Sequence, residues 1–195
     1  MTAFADKPLR EVLEAFASAT PTPGGGSACA AAGAFGTALL RMAAAIAGVD
    51  KQSLERIEER LIDAIDADAV AYRYVITAQR QPHDTEGERG LRTAALHLAL
   101  RGATEVPLSI MRLSASALYE ATEVAARARR STIGDIRVAV TLLRAGLDGA
   151  GLTIDANLGA LVDATYINAV KEECRSLTER GAAAVAEAER LLRVS

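Results

Sequence analysis

The sequence predicts an all-α protein, and three observations carry that expectation. Ala makes up roughly a fifth of the residues, far above ordinary usage, and Ala is the best helix former. Apolar residues recur at three- and four-residue spacing along most of the chain, as amphipathic helices require. No segment alternates apolar and polar residues as a half-buried strand would.

The chain has 195 residues, half of them hydrophobic and 24% charged. One domain spanning 1–195 is expected, long enough to bury a core of useful size. The hydrophobic content excludes a wholly disordered chain. A net charge of -3 argues against a dedicated nucleic-acid binder, which carries a basic excess.

The elements follow in order. Leu9, Val12, Leu13 and Phe16 place a first short helix over about Pro8 to Ala19. Two prolines and three glycines between Pro21 and Gly26 break it. Ser27 is a good N-cap for a second helix that runs to Ala47 and stops at Gly48. A third helix covers Ser53 to Gln79, with Leu54, Ile57, Leu61, Ile62, Ile65, Tyr72 and Ile76 on its apolar face. After a loop over Gln81 to Gly87, a fourth helix runs from Glu88 to Arg127, with a kink or restart expected at Pro107. Ile136 to Leu147 reads as a fifth helix, and Gly149 and Gly151 allow a bend after it. The last helix spans Leu158 to Leu192.

Met1 to Lys7 shows no basic region followed by an apolar stretch, so no signal peptide is expected. The longest uncharged apolar run, Ala28 to Leu40, is closed by Arg41 and falls short of the ~20 residues of a membrane span. A soluble cytoplasmic protein that engages neither membrane nor nucleic acid is the resulting expectation. Cys29 and Cys174 share no motif and read as small core residues of a reducing compartment.

Two features stand out chemically. The first is Pro21-Thr22-Pro23-Gly24-Gly25-Gly26-Ser27, a glycine-rich turn opening a helix. Its free N–H groups and the helix dipole favour an anion or a carbonyl oxygen. It lacks the Gly-Lys-Ser/Thr ending of a Walker loop, and by itself it is equally a tight inter-helix turn. The second is Asp68, which leans onto the apolar side of the third helix, while Asp66 turns to the wetter side. A carboxylate there is costly unless paired or used, and desolvation makes it a stronger base. The competing reading is a buried structural Asp paired with an Arg or capping another helix. His83 in its loop and His97 on a helix have no carboxylate cluster around them, so no metal site is expected. Asp135 at a helix start reads as a cap or N-terminal charge, and Asn157 as a turn residue.

Together these segments resemble the cyclodeaminase domain of formiminotransferase-cyclodeaminase and the stand-alone methenyltetrahydrofolate cyclohydrolases. The resemblance rests on five elements in order. They are Ala19 to Ser27 before the Ala-rich helix, Ile65-Asp66-Ala67-Asp68-Ala69-Val70-Ala71-Tyr72, Gln81 to Glu86 leading to Arg92, Ala103-Thr104-Glu105-Val106-Pro107-Leu108, and Gly134-Asp135 with Gly149-Ala150 and Asn157.

The resemblance implies an orthogonally packed multi-helix bundle, a homodimer, and a tetrahydrofolate derivative as substrate with no further cofactor. It implies Asp68 as the general base and His83 as a proton shuttle. Pro23, Gly24, Gly25, Gly26, Ser27, Tyr72, Asp135 and Asn157 are the implied substrate-binding residues. His83 stands where the family has Lys, Arg129 and Thr153 where it has Asn, and Gly134 where it has Ser. The implied reaction is hydrolysis of 5,10-methenyltetrahydrofolate to 10-formyltetrahydrofolate. The alternatives are cyclodeamination of formiminotetrahydrofolate, and a folate-binding or scaffold relative without turnover.

Overall fold

The computed structural model describes residues 3–194; Met1, Thr2 and Ser195, which the expected domain includes, lie outside the described residues. Six α-helices and two 3-10 turns make up the regular structure, and the described residues contain no strand. The helices are α1 (Leu9–Ala17), α2 (Gly25–Ala47), α3 (Gln52–Gln79), α4 (Glu86–Ala126), α5 (Ile133–Leu158) and α6 (Ala164–Leu192).

α4 packs on α2, α3, α5 and α6, and α2 packs most extensively on α5 and α3 and also touches α4. α2 is long and apolar enough to cross a membrane by length and composition alone. Here its length serves the core: Ala30, Leu40, Ala43 and Ala44 are fully buried. Its one charged residue, Arg41, bonds Glu55 and Glu58 of α3 at 3.0 and 2.7 Å.

Small residues set how closely α2 and α5 approach. A Cβ on Gly36 would lie 2.8 Å from the Ala139 carbonyl oxygen, and one on Gly146 would lie 3.0 Å from that of Cys29. Further along, Gly149 meets Cys29 and Gly25 meets Thr153. The α2 residue numbers fall as the α5 numbers rise, so the two helices run antiparallel.

The structure corrects several boundaries. α2 begins at Gly25 with Gly24 as its N-cap, two residues before Ser27. Ser27 does not cap because its hydroxyl is buried and bonded to α3. The helix does end at Gly48, which adopts φ 72°, a left-handed conformation that Gly takes at no steric cost. α4 starts at a capping box in which Thr85 and Glu88 bond each other's backbone, and it continues through Pro107 without a restart.

α5 also runs unbroken past Gly149 and Gly151, because the first of these serves contact with α2 rather than a bend. α6 begins only at Ala164, where Asp163 accepts from the Tyr166 amide at 3.1 Å. Asp66 is not merely solvated: its carboxylate accepts the Phe4 amide at 2.8 Å and the Ala5 amide at 3.3 Å, tying the N-terminal 3-10 turn to α3.

α1 has the expected amphipathic spacing but none of its residues is buried, and Leu9 and Leu13 are each 59% exposed. Its apolar side faces Ala34, Phe35 and Ala38 of α2 across a cleft of about 420 Å³.

Candidate active site

The first turn of α2 meets the middle of α3. Asp68 is reached there by a single residue of α2 through two donors. The Ser27 amide donates to Oδ2 at 2.8 Å, and the Ser27 hydroxyl lies 3.0 Å from the same oxygen. That hydroxyl is also 2.8 Å from the Ile65 carbonyl oxygen. It has one proton, so it donates to one of these acceptors at a time.

The other carboxylate oxygen, Oδ1, takes no hydrogen bond from the described residues. The carboxylate rests against Gly26, where a Cβ would collide first with Asp68 Oδ1 and would come within 2.5 Å of Cγ and 2.8 Å of Oδ2. Only a residue without a side chain leaves room for it.

Partial burial pushes the Asp68 carboxyl above the ordinary carboxylate range, and the two Ser27 bonds pull it back only in part. The Cys29 thiol, one turn further along α2, is pushed up by its own burial and then by the Asp68 charge. Desolvation therefore governs this corner of the molecule.

Asp68 opens into a pocket of about 220 Å³ lined by the turn from Gly24 to Gly26, Tyr72, Ala103, Thr153 and Asn157, among others. Among the described residues, Asp68 is the one charged residue lining it. The amides of Gly25 and Gly26 belong to the first turn of α2 and find no acceptor among the described residues. The pocket thus offers backbone donors at a helix N-terminus beside one carboxylate oxygen available as an acceptor.

Of the residues expected at the site, Gly24, Gly25, Gly26, Asp68, Tyr72 and Asn157 come together around this pocket. Pro23 and Ser27 are buried behind its wall. Ser27 holds the carboxylate instead of facing the cavity. Two expected residues are elsewhere. His83 is exposed in the loop after α3 and does not line the pocket; eleven residues of α3, about 17 Å at the helical rise, already separate Asp68 from Gln79. Asp135 lies in the first turn of α5, 22 residues or about 33 Å from Asn157 along one straight element.

Thr153 and Ala103 were not expected as pocket residues. Thr153 had a signal, since it precedes Asn157 by four and shares its helix face. The signal for Ala103 was Pro107, four residues later.

Fold and site first define a class: an all-helical bundle with a small pocket built around one partly buried carboxylate at a glycine-rich helix start. The particular lineage follows from comparison. A family model described as Formiminotransferase-cyclodeaminase matches residues 8–176, and the chain belongs to that family. A methenyltetrahydrofolate cyclohydrolase from Methylorubrum extorquens is 34% identical over 188 residues, covering 89% of this chain and 90% of that protein. The formimidoyltransferase-cyclodeaminase of Sus scrofa is 31% identical over 186 residues, and the matched region is 34% of that longer protein. The crystal structure of a formiminotetrahydrofolate cyclodeaminase from Thermotoga maritima superposes with a TM-score of 0.86 over 96% of both chains at 22% identity. At that identity the likeness shows a shared fold.

Proposed function

We propose that this chain is an enzyme of folate one-carbon chemistry that hydrolyses 5,10-methenyltetrahydrofolate to 10-formyltetrahydrofolate, with Asp68 as general base. One observation carries the reading. A desolvated carboxylate is fixed through one oxygen by Ser27 and presents the other beside unpaired backbone amides. The match to a stand-alone cyclohydrolase over nearly its whole length supports the choice of reaction.

The substrate's reacting carbon is cationic and lies between two nitrogens. Asp68 stabilises that charge and takes a proton from water as the water oxygen attacks. The adduct's hydroxyl becomes the formyl carbonyl as the bond to one nitrogen breaks. That nitrogen keeps one proton, and the other leaves to solvent. The Gly25 and Gly26 amides are the donors available to an oxygen that gains charge on the way. With His83 outside the pocket, Asp68 itself carries the proton.

The protein works as one domain, an orthogonally packed bundle that pairs as a cytoplasmic homodimer. The unburied apolar side of α1 and the exposed Phe35, Met42 and Ile46 of α2 support a second copy as their cover. A helix apolar on most of its surface is stable in water only when it is covered.

The test is decay of the methenyl absorbance with purified protein, with Asp68→Asn alongside. Accelerated decay that is lost in the variant supports the reading. No acceleration above the spontaneous rate overturns it in favour of the non-catalytic alternative. Ammonia release from formiminotetrahydrofolate without methenyl hydrolysis assigns the cyclodeaminase reaction instead.

A further inference from the structure

A proline in the middle of a 41-residue helix needs a reason, because it removes one backbone bond of that helix and commonly kinks it. Pro107 has no N–H to give to the carbonyl four residues back, which belongs to Ala103. That carbonyl is nevertheless satisfied: the side-chain Nδ2 of Asn157 on α5 donates to it at 2.9 Å, across 54 residues of sequence. Ala103 and Asn157 both line the Asp68 pocket.

We infer that Pro107 is a positioning residue for the site: by leaving the Ala103 carbonyl free, it fixes the side-chain amide of Asn157 with Oδ1 as an acceptor available to the ligand. The orientation follows from chemistry. A carbonyl oxygen only accepts, so the NH₂ end of the amide must face Ala103 and the oxygen must be the other end. Oδ1 has no partner among the described residues. The pocket then holds two acceptors, Asn157 Oδ1 on the α5 wall and Asp68 Oδ1 beside the α2 amides. Such a site selects a heterocycle that brings an N–H donor to the α5 wall. It discriminates against one that brings an acceptor there, because an acceptor would leave Asn157 unpaired. In a helix without the proline, the residue-107 amide would compete for the Ala103 carbonyl and pull it onto the helix axis, weakening the anchor of the Asn157 amide.

The inference rests on the pocket being the substrate site, and a double-mutant cycle keeps the two separable. Pro107→Ala and Asn157→Leu are each expected to raise KM for 5,10-methenyltetrahydrofolate about tenfold, the loss of one buried hydrogen bond, with a smaller change in kcat. If Pro107 acts through Asn157, the double variant is no worse than Asn157→Leu alone. Wild-type KM in Pro107→Ala, or losses that multiply in the double variant, overturns the inference. Should Pro107→Ala fail to fold, the unaltered protein gives the answer by NMR. A through-hydrogen-bond coupling between the Asn157 side-chain nitrogen and the Ala103 carbonyl carbon supports the arrangement, and a freely exchanging Asn157 amide without it overturns it. Asp68→Asn with full turnover would sink the reading of the pocket but leave the Pro107–Asn157 coupling measurable.

Discussion

Gly26→Ala is the smallest change that attacks the site directly. The added methyl carbon would lie nearest Asp68 Oδ1 and 2.5 Å from Cγ, whereas ordinary contact begins at 3.4 Å, so the carboxylate must retreat by more than about 0.9 Å. Neither backbone gives easily, since α2 and α3 pack along most of their length and Ser27 beside it is fully buried. The retreat stretches both Ser27 bonds, now 2.8 and 3.0 Å, beyond useful hydrogen-bond distance. A misplacement of this size at a reacting group costs about 10²-fold in rate.

The effect on folding is smaller, because an overpacking cost of about 1–3 kcal/mol is offset by about 1 kcal/mol from replacing a helical Gly with Ala. The assay is kcat/KM from methenyl decay, paired with a thermal melt. Gly90→Ala serves as control, since a Cβ there meets nothing within 4 Å. Wild-type kcat/KM in Gly26→Ala would refute the claim that the carboxylate must lie on a bare Cα.

Further expectations concern charge and assembly. Asp68 titrates above its unfolded value, so the stability linked to it is present below that value and is lost as pH rises through the folded one. Asp68→Asn therefore melts at or above the wild-type temperature at pH 7, with the difference fading in acid; a large drop at pH 7 would make Asp68 a structural residue. From the same shift, kcat/KM falls on the acid side with a midpoint above the ordinary carboxylate range of about 4, and an acid limb at or below that range contradicts the desolvated base. Phe35, 54% exposed beside the cleft under α1, is expected at the subunit interface, so Phe35→Glu converts a dimer to monomer in sedimentation. A wild-type protein already monomeric at micromolar concentration would remove that interface.

The apolar spacing that placed Leu54, Ile57 and Leu61 inside was legible because helix periodicity is a local property. So were the Gly48 stop and the α3 limits. The boundary at Ser27 was misread because Ser is a good cap in general, whereas this Ser is spent on a partner from another helix. The helix continues past Gly149, where a bend was allowed, for a related reason: a glycine in a helix relaxes the backbone or admits a neighbour, and only the neighbour's position tells which.

By itself, the sequence determined the helices, the glycine-rich turn and the unusual place of Asp68 on an apolar face. It also carried, as a resemblance, the family to which the chain belongs. The tertiary structure decided who meets whom. Ser27 finds Asp68 across 41 residues and Asn157 finds Ala103 across 54, while Asp135, on the same helix as Asn157, is carried away from the pocket. Pairings at such separations depend on how rigid helices are stacked. The spacing of residues along any one helix holds no record of that stacking.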